Sequence, residues 1–146
     1  KKFKNPKNNL FFIGQNLVDK MDELSLCKRN IESVIVENQP SLKNPTMKSI
    51  QMMVYSYFLI NGVCNQDSTI RKLEMINARN KLKVYKGPNI ECNIKETYKR
   101  NKWLAVKYCE IMIENEIHEF IELFKDSKKK DDLSDAYLQG IYFLSL

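Results

Sequence analysis

Among 146 residues there is one histidine, His118, and the four cysteines (Cys27, Cys64, Cys92 and Cys109) form no C-x-x-C pair. This shortage of imidazole and paired thiol donors argues against a zinc site, and the scattered cysteines read as reduced thiols of an intracellular compartment. Glycine is equally scarce: there are four, and no G-x-x-x-x-G-K sequence to cradle a nucleotide's phosphates, which disfavours nucleotide hydrolysis. No stretch approaches 18 consecutive apolar residues, and the opening Lys1-Lys2-Phe3-Lys4 lacks the apolar centre of a signal peptide, so no membrane partner or secretion is expected. The chain also lacks an initiating methionine, which reads as a natural beginning left out. No internal repeat or low-complexity tract is visible.

The residues present are 43% hydrophobic and 10% aromatic, enough for one domain spanning 1–146 with a core of its own. Lysine and arginine number 24 against 18 acidic residues, a net charge of +6 that favours a polyanionic partner such as nucleic acid.

Hydrophobic periodicity predicts a helix over 10–26 through Ile13, Leu17, Met21 and Leu24. A strand follows at 31–37. Its apolar run Val34-Ile35-Val36 is of the kind buried on both faces of a parallel sheet, and Asn38-Gln39-Pro40 stops it. Glu37 thereby falls at the strand's carboxyl end, where ligands gather in open α/β sheets; the plainer reading is a polar strand end facing water. Asn44-Pro45 is a helix start, with Met47, Ile50, Val54, Tyr57 and Phe58 core-facing and Asn61-Gly62 as the stop. A second strand is expected at 69–76 and a loop at 81–93 around Gly87-Pro88. Helices follow at 97–115 (Leu104, Tyr108, Ile111, Met112), over 117–124, and from Asp131 to the end (Leu133, Tyr137, Ile141, Leu144). His118, lying among acids, reads as a surface residue. This order indicates an α/β fold with parallel strands, although two strands alone make an implausible sheet.

In Asp131-Asp132-Leu133-Ser134-Asp135, the i, i+3 spacing puts Asp132 and Asp135 on one helix face. Acids at a helix start complement its dipole, and a solvated face would also carry them. Bordered by Leu133, Ala136 and Tyr137, however, partly buried paired carboxylates require a cation, and a hard divalent metal suits their oxygens. A strand-end glutamate, a helical Asp-x-x-Asp and a basic surface together fit two-metal phosphodiester hydrolysis.

Glu37-Asn38-Gln39-Pro40 followed by Asn44-Pro45-Thr46-Met47-Lys48, together with Lys130-Asp131-Asp132-Leu133-Ser134-Asp135-Ala136-Tyr137, resembles two conserved blocks of RuvC-like Holliday junction resolvases, those of poxviruses and other large DNA viruses in particular. The resemblance implies an RNase H-like fold with a central mixed sheet flanked by helices, a homodimer, and symmetric nicking of four-way DNA junctions. It implies dependence on Mg²⁺, two per active site, with Mn²⁺ as a substitute, and host cytoplasm as the location if the source is viral. Glu37, Asp132 and Asp135 would be metal ligands. A catalytic lysine is implied near the cluster Lys99-Arg100-Asn101-Lys102, with Lys102 chosen and Lys99 its rival. Lys43, Lys48, Lys99, Arg100, Lys128, Lys129 and Lys130 are the expected DNA-phosphate contacts. The family's first ligand, an aspartate on an initial strand of a three-strand meander, has no counterpart; Asp19 lies in a predicted helix and is not assigned the role. The N-terminal strands are therefore expected to be absent from this chain. Two other readings stay open: a non-catalytic basic nucleic-acid-binding module, and an RNase H-like nuclease acting on RNA–DNA hybrids or linear DNA.

Overall fold

The computed structural model describes residues 9–42 and 44–146. The chain divides into two compact units, Lys1–Asn77 and Ala78–Leu146.

In the first unit, helix α1 (Leu10–Leu24) starts where the Asn9 side chain accepts a hydrogen bond from the Phe11 N–H. It stops at Ser25, whose φ of 51° turns the chain out of the helix. Strand β1 (Ser33–Glu37), helix α2 (Pro45–Phe58) and strand β2 (Lys72–Ile76) form a β-α-β unit. The strands pair in parallel with Val34 opposite Leu73 and Glu37 opposite Ile76, as a crossover through a helix permits. Among the described residues these two strands make up the whole sheet. With one helix-covered side, Val34, Ile35 and Val36 are half-buried, not enclosed on both faces as their apolar run predicts.

Met21, Cys27, Tyr57, Phe58 and Ile70 form this unit's core, with Leu17, Ile31, Val34, Val54 and Leu73 packed against it. A π-helical turn, Leu59–Val63, follows α2 and brings Gly62 against the fully buried Ile70. The helical stripes hold at their centres and fail at their ends: Leu24 and Met47 are exposed, because each lies in a terminal turn past the core's edge. The buried residue of α2's first half is Gln51 instead, 4% exposed.

The second unit holds α3 (Thr97–Met112), α4 (His118–Asp126) and α5 (Lys130–Leu144). Residues 78–84, expected to lie partly in a loop, form 3-10 turns (Ala78–Val84) packed on α5. Helices α3 and α5 meet through small side chains: Ala105, Cys109 and Ser134 are fully buried, with Leu138 beside them. Of the expected α5 stripe, Leu133 and Tyr137 do pack against the buried Cys109, Ile113 and Phe124, while the fully buried positions are Ser134 and Leu138 and the terminal Leu144 is 80% exposed. Small side chains let the backbones approach, and the larger residues flank the seam. Ile111 is likewise exposed while Cys109 and Ile113 are buried. His118 lies on the surface, with its Nε2 3.8 Å from Glu122 Oε1.

Candidate functional site

Glu37 closes β1 at the carboxyl end of the sheet, half-buried. Its Oε1 accepts a 3.0 Å hydrogen bond from Gln39 Nε2. The chain there is fastened to α2, since the Gln39 N–H donates to Gln51 Oε1 at 2.8 Å. Lys48 Nζ reaches the same oxygen at 3.1 Å and donates to Asn38 Oδ1 at 2.8 Å. Gln51 Nε2 in turn points at Met75 Sδ of β2, 2.9 Å away. Lys48, expected to contact phosphate, thus has its ammonium engaged with the strand end. The arrangement ties Glu37 into a polar network that leaves a carboxylate and an ammonium near the strand tip, in the place where α/β sheets carry ligands.

In the second unit the acids opening α5 have unequal surroundings. Asp131 Oδ2 stands 2.7 Å from Lys102 Nζ. That hydrogen bond, followed by help from the backbone N–H groups of Asp131 and Asp132, holds the Asp131 carboxyl below its ordinary range. The same bond, reinforced by Tyr98, pushes Lys102 up to about 12 against a smaller opposing effect of burial. Asp132 is exposed, so the expectation that both members of the Asp132/Asp135 pair border the buried stripe fails for Asp132: on α5, burial of Ser134 and Leu138 turns that position outward.

Asp135 does border it. Its Oδ2 lies 2.5 Å from Lys81 Nζ, the two side chains being 25% and 15% exposed. Its Oδ1 is buried, and among the described residues no hydrogen-bond donor meets it. The Lys81 ammonium offsets part of the cost of burying this carboxylate, while Oδ1 itself has exchanged water for no hydrogen bond. These donors suit a hard cation: they are oxygens, with an acceptor left open at Asp135. Within either unit, however, no three His, Cys, Asp or Glu residues gather to hold a metal among the described residues.

The predicted lysines and arginine are placed as follows. Lys102 is paired with Asp131 and lies 5.4 Å from the Tyr98 ring centroid, in cation–π range. Its rival Lys99 is exposed and pairs with Glu96 at 2.7 Å. Arg100, Lys128 and Lys129 are exposed, and Lys130 is half-buried with its Nζ 5.8 Å from the Phe124 ring. Lys43 lies outside the described residues. Sequence reading missed Lys81, Gln51 and Tyr98. Gln51 had a signal, as a polar residue inside the α2 apolar stripe; Lys81 had none, because its segment has no periodicity to place it.

No helix among the described residues is long and apolar enough to cross a membrane, and all four cysteines are free thiols. No family model matches the chain, and no solved structure matches it. An uncharacterized protein of Acanthamoeba polyphaga mimivirus is 41% identical over 140 residues, which cover 88% of this chain and 33% of the relative. The chain therefore has a viral relative, and it spans about a third of that relative's length.

Proposed function

We propose that the chain belongs to a metal-dependent DNA endonuclease that cuts four-way junctions, with an RNase H-like fold, acting as a homodimer in the cytoplasm of a virus-infected host. The observation that carries the reading is the opening of α5. There an Asp-x-x-Asp sequence resembling the resolvase block offers a buried carboxylate oxygen with no donor. The strand-end Glu37 with its polar network, the parallel β-α-β unit, the net charge of +6 and the viral relative all agree with it.

Glu37, Asp132 and Asp135 are the proposed ligands of Mg²⁺, with Mn²⁺ as a substitute. Bound there, the metal would supply a polarised water and neutralise the leaving oxygen. The chain's own part is to hold carboxylates at a helix start and a strand end, and to bring ammonium groups to the phosphate. Lys102 is the proposed phosphate-facing lysine, steadied between Asp131 and Tyr98.

A second reading, a basic module that binds nucleic acid without cutting it, is favoured by one observation: Asp131 and Asp135 are each already neutralised by a lysine. The test is Mg²⁺-dependent cutting of a four-way junction, an RNA–DNA hybrid and a linear duplex. The parent should cut the junction preferentially. Glu37→Gln and Asp132→Asn should abolish cutting while leaving junction binding largely intact. A parent that binds and never cuts would establish the second reading.

A further inference from the structure

The second unit keeps an apolar trough open to solvent. Its floor is Cys109 of α3 and the buried Ile113, its walls are Leu133 and Tyr137 of α5 and Phe120 and Leu123 of α4, and the groove between them measures about 300 Å³. Helix α4 leaves it open. Phe124 carries the buried side of that helix, while Phe120 is 52% and Leu123 60% exposed, and Ile117 just before the helix is 66% exposed. Large apolar side chains gathered in water along one groove mark a surface that burial against a partner would stabilise.

Charge separates this patch from the rest of the molecule. From Glu110 to Asp126 the chain carries six acidic residues against Lys125 and the single histidine, in a protein of net charge +6. Glu119 and Asp126 are exposed and stand four residues before and three after Leu123, on its side of α4. Glu116 lines the groove, and its Oε1 accepts a 2.9 Å hydrogen bond from the Tyr137 hydroxyl, which fixes a carboxylate at the lip. The walls are helices, whose backbone groups are satisfied internally, so an extended segment would find no strand edge to pair with. A helix arrives with its own backbone satisfied and can lay an apolar stripe into such a trough.

We infer that this groove docks an amphipathic helix of a partner protein, with leucine- or phenylalanine-type side chains seated against Phe120, Leu123 and Tyr137, and lysine or arginine along its edges facing Glu116, Glu119 and Asp126. Charge complementarity selects this occupant. The same carboxylates repel nucleic acid and an anionic membrane, and a second copy meeting this face across a two-fold axis would set acid against acid. The inference goes beyond the nuclease reading and does not depend on it.

The test uses the full chain and labelled peptides of about 18 residues, long enough for a helix to form, read by fluorescence anisotropy. One peptide carries leucine at i, i+3, i+4 and i+7 with lysine beside the stripe; one has the same composition scrambled; one keeps the pattern with glutamate for lysine. The patterned basic peptide should bind at least about tenfold more tightly than either control. Leu123→Ser and Phe120→Ser, at exposed positions, should each weaken it about tenfold, and Glu119→Lys should weaken it and flatten its salt dependence. Equal binding of the scrambled peptide, tighter binding of the glutamate peptide, or an unchanged affinity in Leu123→Ser overturns the inference. So does a parent dimer in sedimentation that Leu123→Ser converts to monomer, which would assign the face to a second copy. Circular dichroism checks each variant; if Phe120→Ser fails to fold, Leu123→Ser and the peptide controls decide.

Discussion

Lys102 Nζ lies 2.7 Å from Asp131 Oδ2 and 5.4 Å from the Tyr98 ring centroid, so one ammonium joins α3 to the first turn of α5. Asp131 is held below its ordinary range and Lys102 above its own, at about 12. The lowered carboxylate contributes stability above its unfolded-state pKa, and that contribution is lost as pH falls through the folded value. The raised ammonium contributes below about 10.4, and that part is lost as pH climbs through about 12. Both groups are partly solvated, so Asp131→Asn should cost about 0.2–1 kcal/mol at pH 7. Urea unfolding should show the gap between parent and variant shrinking as pH falls below the ordinary carboxylate range, and narrowing in high salt. A gap that does not shrink with falling pH would assign the effect to packing.

The Lys81–Asp135 pair is more enclosed, and its single and double replacements should differ in kind. Lys81→Met alone or Asp135→Leu alone strands a partly buried charge and should cost about 1–3 kcal/mol. Replacing both removes the charges together and should cost less than the sum of the singles. Thermal unfolding of the four proteins completes the cycle, and strict additivity would show that the pair is not coupled.

A methyl group at Gly62 would stand 3.0 Å from Ile70 Cδ1, in a core position where Ile70 is fully buried. Gly62→Ala should therefore destabilise the first unit by about 1–3 kcal/mol through overpacking, despite alanine's better helix propensity. Adding Ile70→Val should recover part of the loss, as urea unfolding would show.

Binding of a four-way junction should weaken steeply with salt, since lysine–phosphate contacts release counterions. Replacing the exposed Lys128 and Lys129 by alanine should shallow the slope of log K against log salt by up to about 2 if each contacts one phosphate. Titration by fluorescence anisotropy between low and moderate salt measures it, and an unchanged slope would remove both from the interface.

Much of the fold was legible because local rules agreed with tertiary demands. The start of α2 is one case: Asn44 Oδ1 accepts from the Met47 N–H at 3.1 Å and Pro45 takes the first helical position, as both residue types predict. The parallel β-α-β order was also legible, since a β-branched run, a capped helix and a second apolar run leave few other arrangements. The candidate site was legible as residue types and spacing: Glu37 does end a strand, and the acids do open α5.

Sequence by itself therefore determined where the carboxylates sit along the elements, because periodicity and capping act over a few residues. Tertiary structure decided which of those carboxylates is buried and what neutralises it. The choice of Ser134 and Leu138 as the packing face of α5 sets Asp132 outward and Asp135 inward. That choice depends on Ala105 and Cys109 of α3 being small enough for close approach. Lys81 meets Asp135 across 54 residues of chain, a distance over which no local pattern carries information, and it changes the reading of the acidic helix: the helix carries carboxylates already paired with ammonium groups, and one oxygen left without a donor.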